Sequence, residues 1–458
     1  MATKSRGRVQ QAKRVRTSAR KPSPAQPLPV YFLSLTLKDV RCFGPEQTLK
    51  LTDAHGRPAR WTVILGNNGM GKTTLLQALT SIEPALVPFT DSAAQKIYTP
   101  KGFFSGKRLS WSPIRHASRH AELAAELSAG MMTSIKGTQR LQLSYVIERS
   151  GRNSTYPVGG PFLGLVCYGY GATRRMGSGS LSAPADAQPS DSLFFEDVPL
   201  RNAEEWLLQA DYAASKSSEY GSAMEKRERI KQLLIDLLPD VADIQFVPPD
   251  ANTAARVEVK THYGWVAMRG LSLGYRTLIA WMVDLASRLF ERYPDSPNPL
   301  AEPAVVLVDE IDLHLHPTWQ RDLIGRLTER FPQTQFIVTA HSPLVVQSAT
   351  DANIVVLKRE GDHVVIDNDV ESIRGWRVDQ ILTSDLFGLP TARPPQIEGF
   401  IKERTAILSK PRLTKKDEAR LRELESAIGP LPTGETKSER AALDLIQRAA
   451  ESIKASRK

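Results

Sequence analysis

The 458-residue chain has no apolar run near the roughly 20 residues that span a bilayer, so no membrane segment is expected. It has two cysteines, Cys42 and Cys167, with no CxxC spacing, which argues against a zinc ribbon and against a disulfide framework. Two reduced thiols in a cytoplasmic protein are the expectation. The first residues hold no apolar core followed by a small-residue cleavage site, so secretion is not expected. No internal repeat is present, and no long heptad segment supplies a coiled-coil arm. Acid is also missing from one place. Residues 1–29 carry eight Lys or Arg and no Asp or Glu, out of a net charge of +10, so the remaining chain is nearly balanced at about +2. That tail holds few apolar residues and is expected to be disordered. It could touch DNA phosphates, or serve only as a solubilising extension.

What is present is an alternation of strand and helix patterns. "VYFLSLTLKDV" alternates apolar and polar residues, and "EQTLKLT" reads as a second short strand. "RWTVILG" is a compact apolar strand that runs directly into a helical period at "KTTLLQALT". Residues 85–120 and 176–192 are rich in Gly, Ser and Pro and read as loops, and 200–240 reads as a helical insert. "FLGLVCYGYGATRR" is a buried strand ending in a turn, and "DIQFVPPD" with "ARVEVKTHYGWVAM" suggests a meander. "LSLGYRTLIAWMVDLASRLFERY" is an amphipathic helix. "AVVLVDE", "QFIVTAH" and "NIVVLKR" are three buried strand candidates, the first two separated by a helix, which implies a parallel sheet. From about residue 371 to 458 the chain is charged and helical.

Two stretches carry chemistry. "GNNGMGKTT" fits GxxxxGK(S/T), with Gly66, Gly71, Lys72 and Thr73 at the defining positions. Such a loop, comprising Gly66, Asn67, Asn68, Gly69, Met70, Gly71, Lys72, Thr73 and Thr74, turns backbone N–H groups inward around a phosphate chain. The helix that follows adds the positive end of its dipole. Lys72 is expected on the β- and γ-phosphates of ATP, and the Thr73 hydroxyl on Mg²⁺. The second stretch, "VVLVDEIDLHLHPTWQ", crowds Asp309, Glu310, Asp312, His314 and His316 together. A zinc reading suffers because His314 and His316 share a face only in extended chain, and Pro317 suits a helix start. With a phosphate loop upstream, Asp309 is expected to hold Mg²⁺ through its water shell, and Glu310 to act as general base. His341 follows the next strand, where ligands gather in parallel sheets.

These motifs together resemble an ABC-type ATPase head of the RecF/SMC/OLD class over residues 30–360. "GNNGMGKTT" is similar to Walker A, "VVLVDE" to Walker B, "AHSP" to the switch-histidine loop, and "GLSLGYRT" to the ABC signature. The signature differs from LSGGQ, with Leu273 and Tyr275 in place of Gly and Gln. His316 stands where a D-loop Asp is usual, six residues after Glu310, and no Q-loop glutamine can be placed. "YGYGATRR" could bring Arg174 or Arg175 near the nucleotide or a partner, or leave both on the surface. "DND" at 367–369 lies too close after Glu360 for a TOPRIM nuclease, and no HNH centre is evident.

The resemblance implies an α/β P-loop NTPase with a mainly parallel core sheet flanked by helices, an antiparallel β subdomain and a helical C-terminal extension. It further implies two heads sandwiching two ATP molecules, Ser272 and Gly274 of one head meeting the nucleotide of the other. A stand-alone head with charged C-terminal helices is similar in layout to bacterial antiphage ATPases of the Septu type, which act with a separate nuclease. A RecF-like repair ATPase and a nucleotide-switched scaffold with negligible hydrolysis are the alternatives. An intact Asp309–Glu310 pair argues against the scaffold.

Overall fold

The computed structural model describes residues 28–86, 98–100, 113–132, 138–148, 153–155, 164–178, 188–216, 222–370, 373–410 and 413–429. The basic tail to residue 27, parts of the loops expected at 85–120 and 176–192, and the last 29 residues of the charged C-terminal region (430–458) lie outside the described residues. The first elements are β1 (Val30–Lys38), β2 (Gln47–Lys50), β3 (Trp61–Leu65), α1 (Lys72–Ser81), β4 (Pro84–Leu86), β5 (Tyr98–Pro100), β6 (His120–Ala129), β7 (Gln139–Glu148), β8 (Asn153–Thr155) and β9 (Cys167–Tyr170). There follow α2 (Ala203–Lys216), α3 (Ser222–Leu237), β10 (Asp243–Val247), β11 (Arg256–Thr261), β12 (Gly264–Ala267) and α4 (Leu273–Arg292). The series runs on through β13 (Ala304–Val308), α5 (Pro317–Arg330), β14 (Thr334–Thr339), α6 (Pro343–Ser348), β15 (Asn353–Glu360) and β16 (His363–Asp367). The chain divides into two compact units, Met1–Gly375 and Trp376–Lys458.

The first unit is built on a six-stranded sheet of order β16-β15-β3-β14-β13-β9. Five of these strands are parallel, and β16 closes one edge antiparallel to β15. Parallel strands are covered on both faces, so they read as unbroken apolar runs rather than alternations. "WTVIL" and "AVVLV" are buried at every position. The α/β P-loop architecture expected from the motifs is the one observed.

A second sheet, of order β2-β1-β6-β7-β8, is antiparallel throughout. Its apolar side chains share one core with the parallel sheet and with Leu75, Leu76 and Leu79 of α1. Lys72 and every residue from Thr74 to Ser81 are buried, as a helix enclosed on all sides must be. Gln335, buried inside β14, pairs with both the N–H and the C=O of Phe32 at 2.9 Å, so it joins the two sheets as a backbone amide would.

Two differences from the sequence reading have physical causes. "HAELAAELSA" is made of helix formers and carries no strand assignment above, yet it forms β6, paired on both sides by β1 and β7. Its alternate residues are buried, and pairing overrides intrinsic preference. Within the 85–120 stretch expected to be loop, Ala85 and Leu86 of β4 pair with Thr99 and Tyr98 of β5.

β10, β11 and β12 form the antiparallel meander, which leads directly into α4. α2 and α3 occupy the stretch expected as a helical insert. The second unit contains α7 (Val378–Thr383), α8 (Pro395–Leu408) and α9 (Lys415–Ile428). Ile407 packs with Leu421 and Leu424 there, supported by Phe400 and Ile428. Thr414 and Asp417 close a capping box at the start of α9. Among the described residues, no helix is long and apolar enough to cross a membrane.

Candidate active site

Four strands of the parallel sheet deliver the site residues from the same edge. The loop of residues 66–71 follows β3, Asp309 and Glu310 follow β13, and His341 lies just past β14. Arg174 lies four residues past β9. Parallel strands end together, so residues distant in sequence converge where open α/β sheets bind ligands.

The loop leaves β3 at Gly66 and enters α1 at its cap, Gly71. Gly71 has φ 83°, and a Cβ there would stand 2.4 Å from Cys42 Sγ, so conformation and space both demand glycine. Asn67, Asn68 and Gly69 are exposed, Met70 is half-buried, and Thr74 is buried at the start of α1. Lys72 Nζ donates to the carbonyls of Gly66 at 2.7 Å and Asn67 at 3.2 Å, lying across its own loop. Burial lowers its pKa below the ordinary lysine value, and Asp309, Glu310 and Asp312 oppose that shift.

Asp309 is 5% exposed and held from both sides. Its Oδ2 accepts from Thr73 Oγ1 and its Oδ1 from Thr339 Oγ1, each at 2.6 Å. Thr339 Oγ1 in turn accepts from the Glu310 N–H at 2.7 Å. Glu310 sits in the left-handed region with φ 47°, an uncommon conformation for a side chain of this size. Its Oε1 is 4.0 Å from His341 Nε2. The His341 N–H donates to the Asp312 carboxylate at 3.1 and 3.3 Å.

Arg174 is neither on the surface nor presented to a partner. It is 2% exposed, and its guanidinium donates to the carbonyls of Asp309 and Glu310. Burial brings its pKa down to about 10, with Asp309, Asp312 and Glu310 pulling the other way, so it stays charged at neutral pH. Arg175 is exposed.

The remaining predicted residues form a separate surface. Ser272 is the exposed cap residue of α4 and makes no side-chain capping bond. A Cβ on Gly274 would stand 2.4 Å from the His314 carbonyl oxygen, so the first turn of α4 rests directly on the loop after Glu310. Tyr275 meets Trp319 edge-on at 4.5 Å and donates to the Pro239 carbonyl at 2.9 Å. His314 and His316 are exposed, and His316 Nδ1 caps α5 by accepting from the Thr318 N–H at 3.3 Å. Asp312 lies in the same loop but is half-buried. It faces inward, to His341 of the same chain.

The residues present fit a nucleotide with Mg²⁺. A hydroxyl and a carboxylate 2.6 Å apart are hard oxygen donors, and Mg²⁺ takes few protein ligands because it keeps several waters. No group of three or more His, Cys, Asp or Glu side chains suited to a metal occurs among the described residues. Sequence reasoning missed Thr339 and the inward roles of Asp312 and Arg174. A polar residue closing the apolar run "QFIVT" was the available signal for Thr339.

Comparison with known proteins matches residues 61–347 to the family model described as "AAA domain, putative AbiEii toxin, Type IV TA system". A protein of Bacillus mycoides (strain KBAB4), "Septu protein PtuA", is 27% identical over 81% of this chain and 46% of its own length. An Escherichia coli protein, "Retron Ec83 probable ATPase", is 50% identical over 19% of this chain and 16% of its own length. The chain thus spans less than half the length of these two relatives. A solved SMC head bound to the C-winged helix domain of ScpA aligns over 73% of this chain and 97% of that chain, at 15% identity and TM-score 0.44.

Proposed function

Given that the chain belongs to the AAA-domain family described as putative AbiEii toxin of a Type IV TA system, we propose that it is a Mg²⁺-dependent ATPase. Its heads work in pairs and control a separate nuclease in defence against phage. The observation that carries the hydrolytic reading is Glu310, fixed beside Asp309 by Thr339 and Arg174, with His341 at 4.0 Å. A scaffold that only binds ATP would not need that arrangement.

The residues divide the work. Lys72 exchanges its two loop carbonyls for the β- and γ-phosphates, and the N–H groups of residues 66–71 surround the phosphate chain. Mg²⁺, when bound by Thr73 and through water by Asp309, supplies positive charge to those phosphate oxygens. Glu310 accepts the proton of the attacking water, and His341 hydrogen-bonds the γ-phosphate or that water. Ser272 and the N-terminal turn of α4, standing on the outer surface with His314, act on the nucleotide of the partner head. The Septu and retron names of the relatives support the defence role, and the exposed charges on α8 and α9 could receive the nuclease.

ATP turnover by wild type and by Glu310→Gln, each with Mg²⁺ and with EDTA, tests the proposal. Wild type should turn over only with Mg²⁺. The variant should bind ATP, accumulate as a dimer and lose at least 100-fold in kcat, about 2.7 kcal/mol of barrier. Equal turnover by the two proteins would remove Glu310 from the chemistry.

A further inference from the structure

Residues 171–175, which follow β9, are tied down at three points. Gly171 N donates to Ser192 Oγ at 3.2 Å, Thr173 Oγ1 to the Glu196 carbonyl at 3.2 Å, and Leu200 N to the Arg175 carbonyl at 2.9 Å. At the other end of that segment, Tyr170 OH donates to Asp284 of α4 at 3.0 Å. This framework holds Arg174 itself at φ 25°, under the turn that follows β13.

Arg174 is used unusually for a buried arginine. Among the described residues it has no carboxylate within ion-pair distance, and its Nε has no partner. Both of its bonds go to main-chain oxygens, those of consecutive residues Asp309 and Glu310. A buried cation without a paired anion is costly and is poor material for stability alone, where a well-packed apolar side chain would do better. The two carbonyls lie where the chain leaves the sheet and turns to φ 47° at Glu310. A planar guanidinium can hold two oxygens in fixed relation, which a lysine cannot.

We infer that Arg174 is a positioning residue for hydrolysis: by clamping the carbonyls of Asp309 and Glu310 it sets the backbone turn that aims the Glu310 carboxylate at the reacting water. The inference rests on the hydrolytic reading above. Arg174 acts through Glu310 and does not touch the nucleotide. Its removal therefore changes the rate of the bound complex and leaves phosphate binding by Lys72 and the loop in place. A misplacement of about 1 Å in a catalytic group costs on the order of 100-fold in rate.

The test compares full-length wild type, Arg174→Lys and Arg174→Met. Three quantities are read: kcat and KM for ATP with Mg²⁺, the Kd of a fluorescent ATP analogue, and the melting temperature. Arg174→Met should lose about 100-fold in kcat, while KM and Kd stay within about threefold. Arg174→Lys keeps the charge but lacks the rigid planar fork that fixes two oxygens relative to each other, so it should fall between Met and wild type. Wild-type kcat in either folded variant would overturn the inference. So would a loss confined to KM and Kd. Should Met fail to fold, Lys decides; a Lys variant that loses fold and binding together assigns Arg174 to structure and overturns the inference. A wild type without turnover sinks the hydrolytic reading, and this inference with it. Turnover in wild type that the variants match sinks this inference alone.

Discussion

Thr339→Val isolates one hydroxyl that serves both acids of the site. Valine keeps the shape of threonine, so no cavity opens in β14. What is lost is the bond from Thr339 Oγ1 to Asp309 Oδ1 at 2.6 Å and the bond it accepts from the Glu310 N–H at 2.7 Å. Thr339 is fully buried and Asp309 is 5% exposed, so water cannot readily replace the hydroxyl at the carboxylate. Leaving a buried polar group unpaired costs about 1–3 kcal/mol. Two groups lose a partner here, but Asp309 keeps Thr73 and the Glu310 turn is partly wet, so about 2–4 kcal/mol is expected. Thr339→Ser is the control. It keeps both bonds and gives up one methyl group, worth about 1 kcal/mol. Denaturant unfolding followed by tryptophan fluorescence reads the difference, since Trp61 stacks on Phe336 of β14 at 4.3 Å. Turnover should fall with stability for Val and not for Ser, because the Glu310 backbone loses one of its fixed points. If Val and Ser unfold at the same denaturant concentration and both turn over like wild type, the hydroxyl bridge contributes nothing and the reasoning fails.

Two other perturbations address the surface and the tail. Gly274→Ala places a Cβ 2.4 Å from the His314 carbonyl oxygen, so α4 or the 311–316 loop must shift, at about 1–3 kcal/mol. The expected result is a lower melting temperature together with loss of the ATP-dependent dimer in light scattering; a variant unchanged in both would show that this contact has slack. Removing residues 1–29 takes away eight positive charges and should weaken DNA binding and flatten its dependence on salt, measured by fluorescence anisotropy. An unchanged salt slope would take the tail out of any DNA contact.

How much of this was legible in the sequence depended on the range of the interaction. The phosphate loop, the buried strands and the acids after β13 are local patterns, set within a few residues of each other. β6 was not legible, because its Ala, Glu and Leu residues favour a helix and only pairing with β1 and β7 makes them a strand. Thr339 and Arg174 reach Asp309 across 30 and 135 residues, and no periodicity reports such a bond. Gly274 looked like a signature residue alone. Its close approach to His314 adds a steric reason that only the packing of α4 against a distant loop supplies.

That same loop divides the ligand-like residues from Asp309 to His316 between two sides. Its first half is turned inward. Asp309 meets Thr73 and Thr339, Glu310 meets Arg174 and approaches His341, and Asp312 holds the His341 N–H. The second half is turned outward from His314, whose φ of 63° reverses the chain and whose carbonyl rests on Gly274. His314 and His316 then line a cleft of about 720 Å³ with Ser272, Gly274, Tyr275 and Trp319. One loop therefore has the Glu310 turn at one end and the His314 contact with Gly274 at the other, only four residues apart between Glu310 and His314. A force applied to the signature by a second head would reach Glu310 through that short connection. Its first effect should be on the left-handed turn that Arg174 and Thr339 hold. Variants of His314 should accordingly alter kcat most when the heads are dimeric and least in dilute monomer, whereas variants of Arg174 and Thr339 should lower it in both.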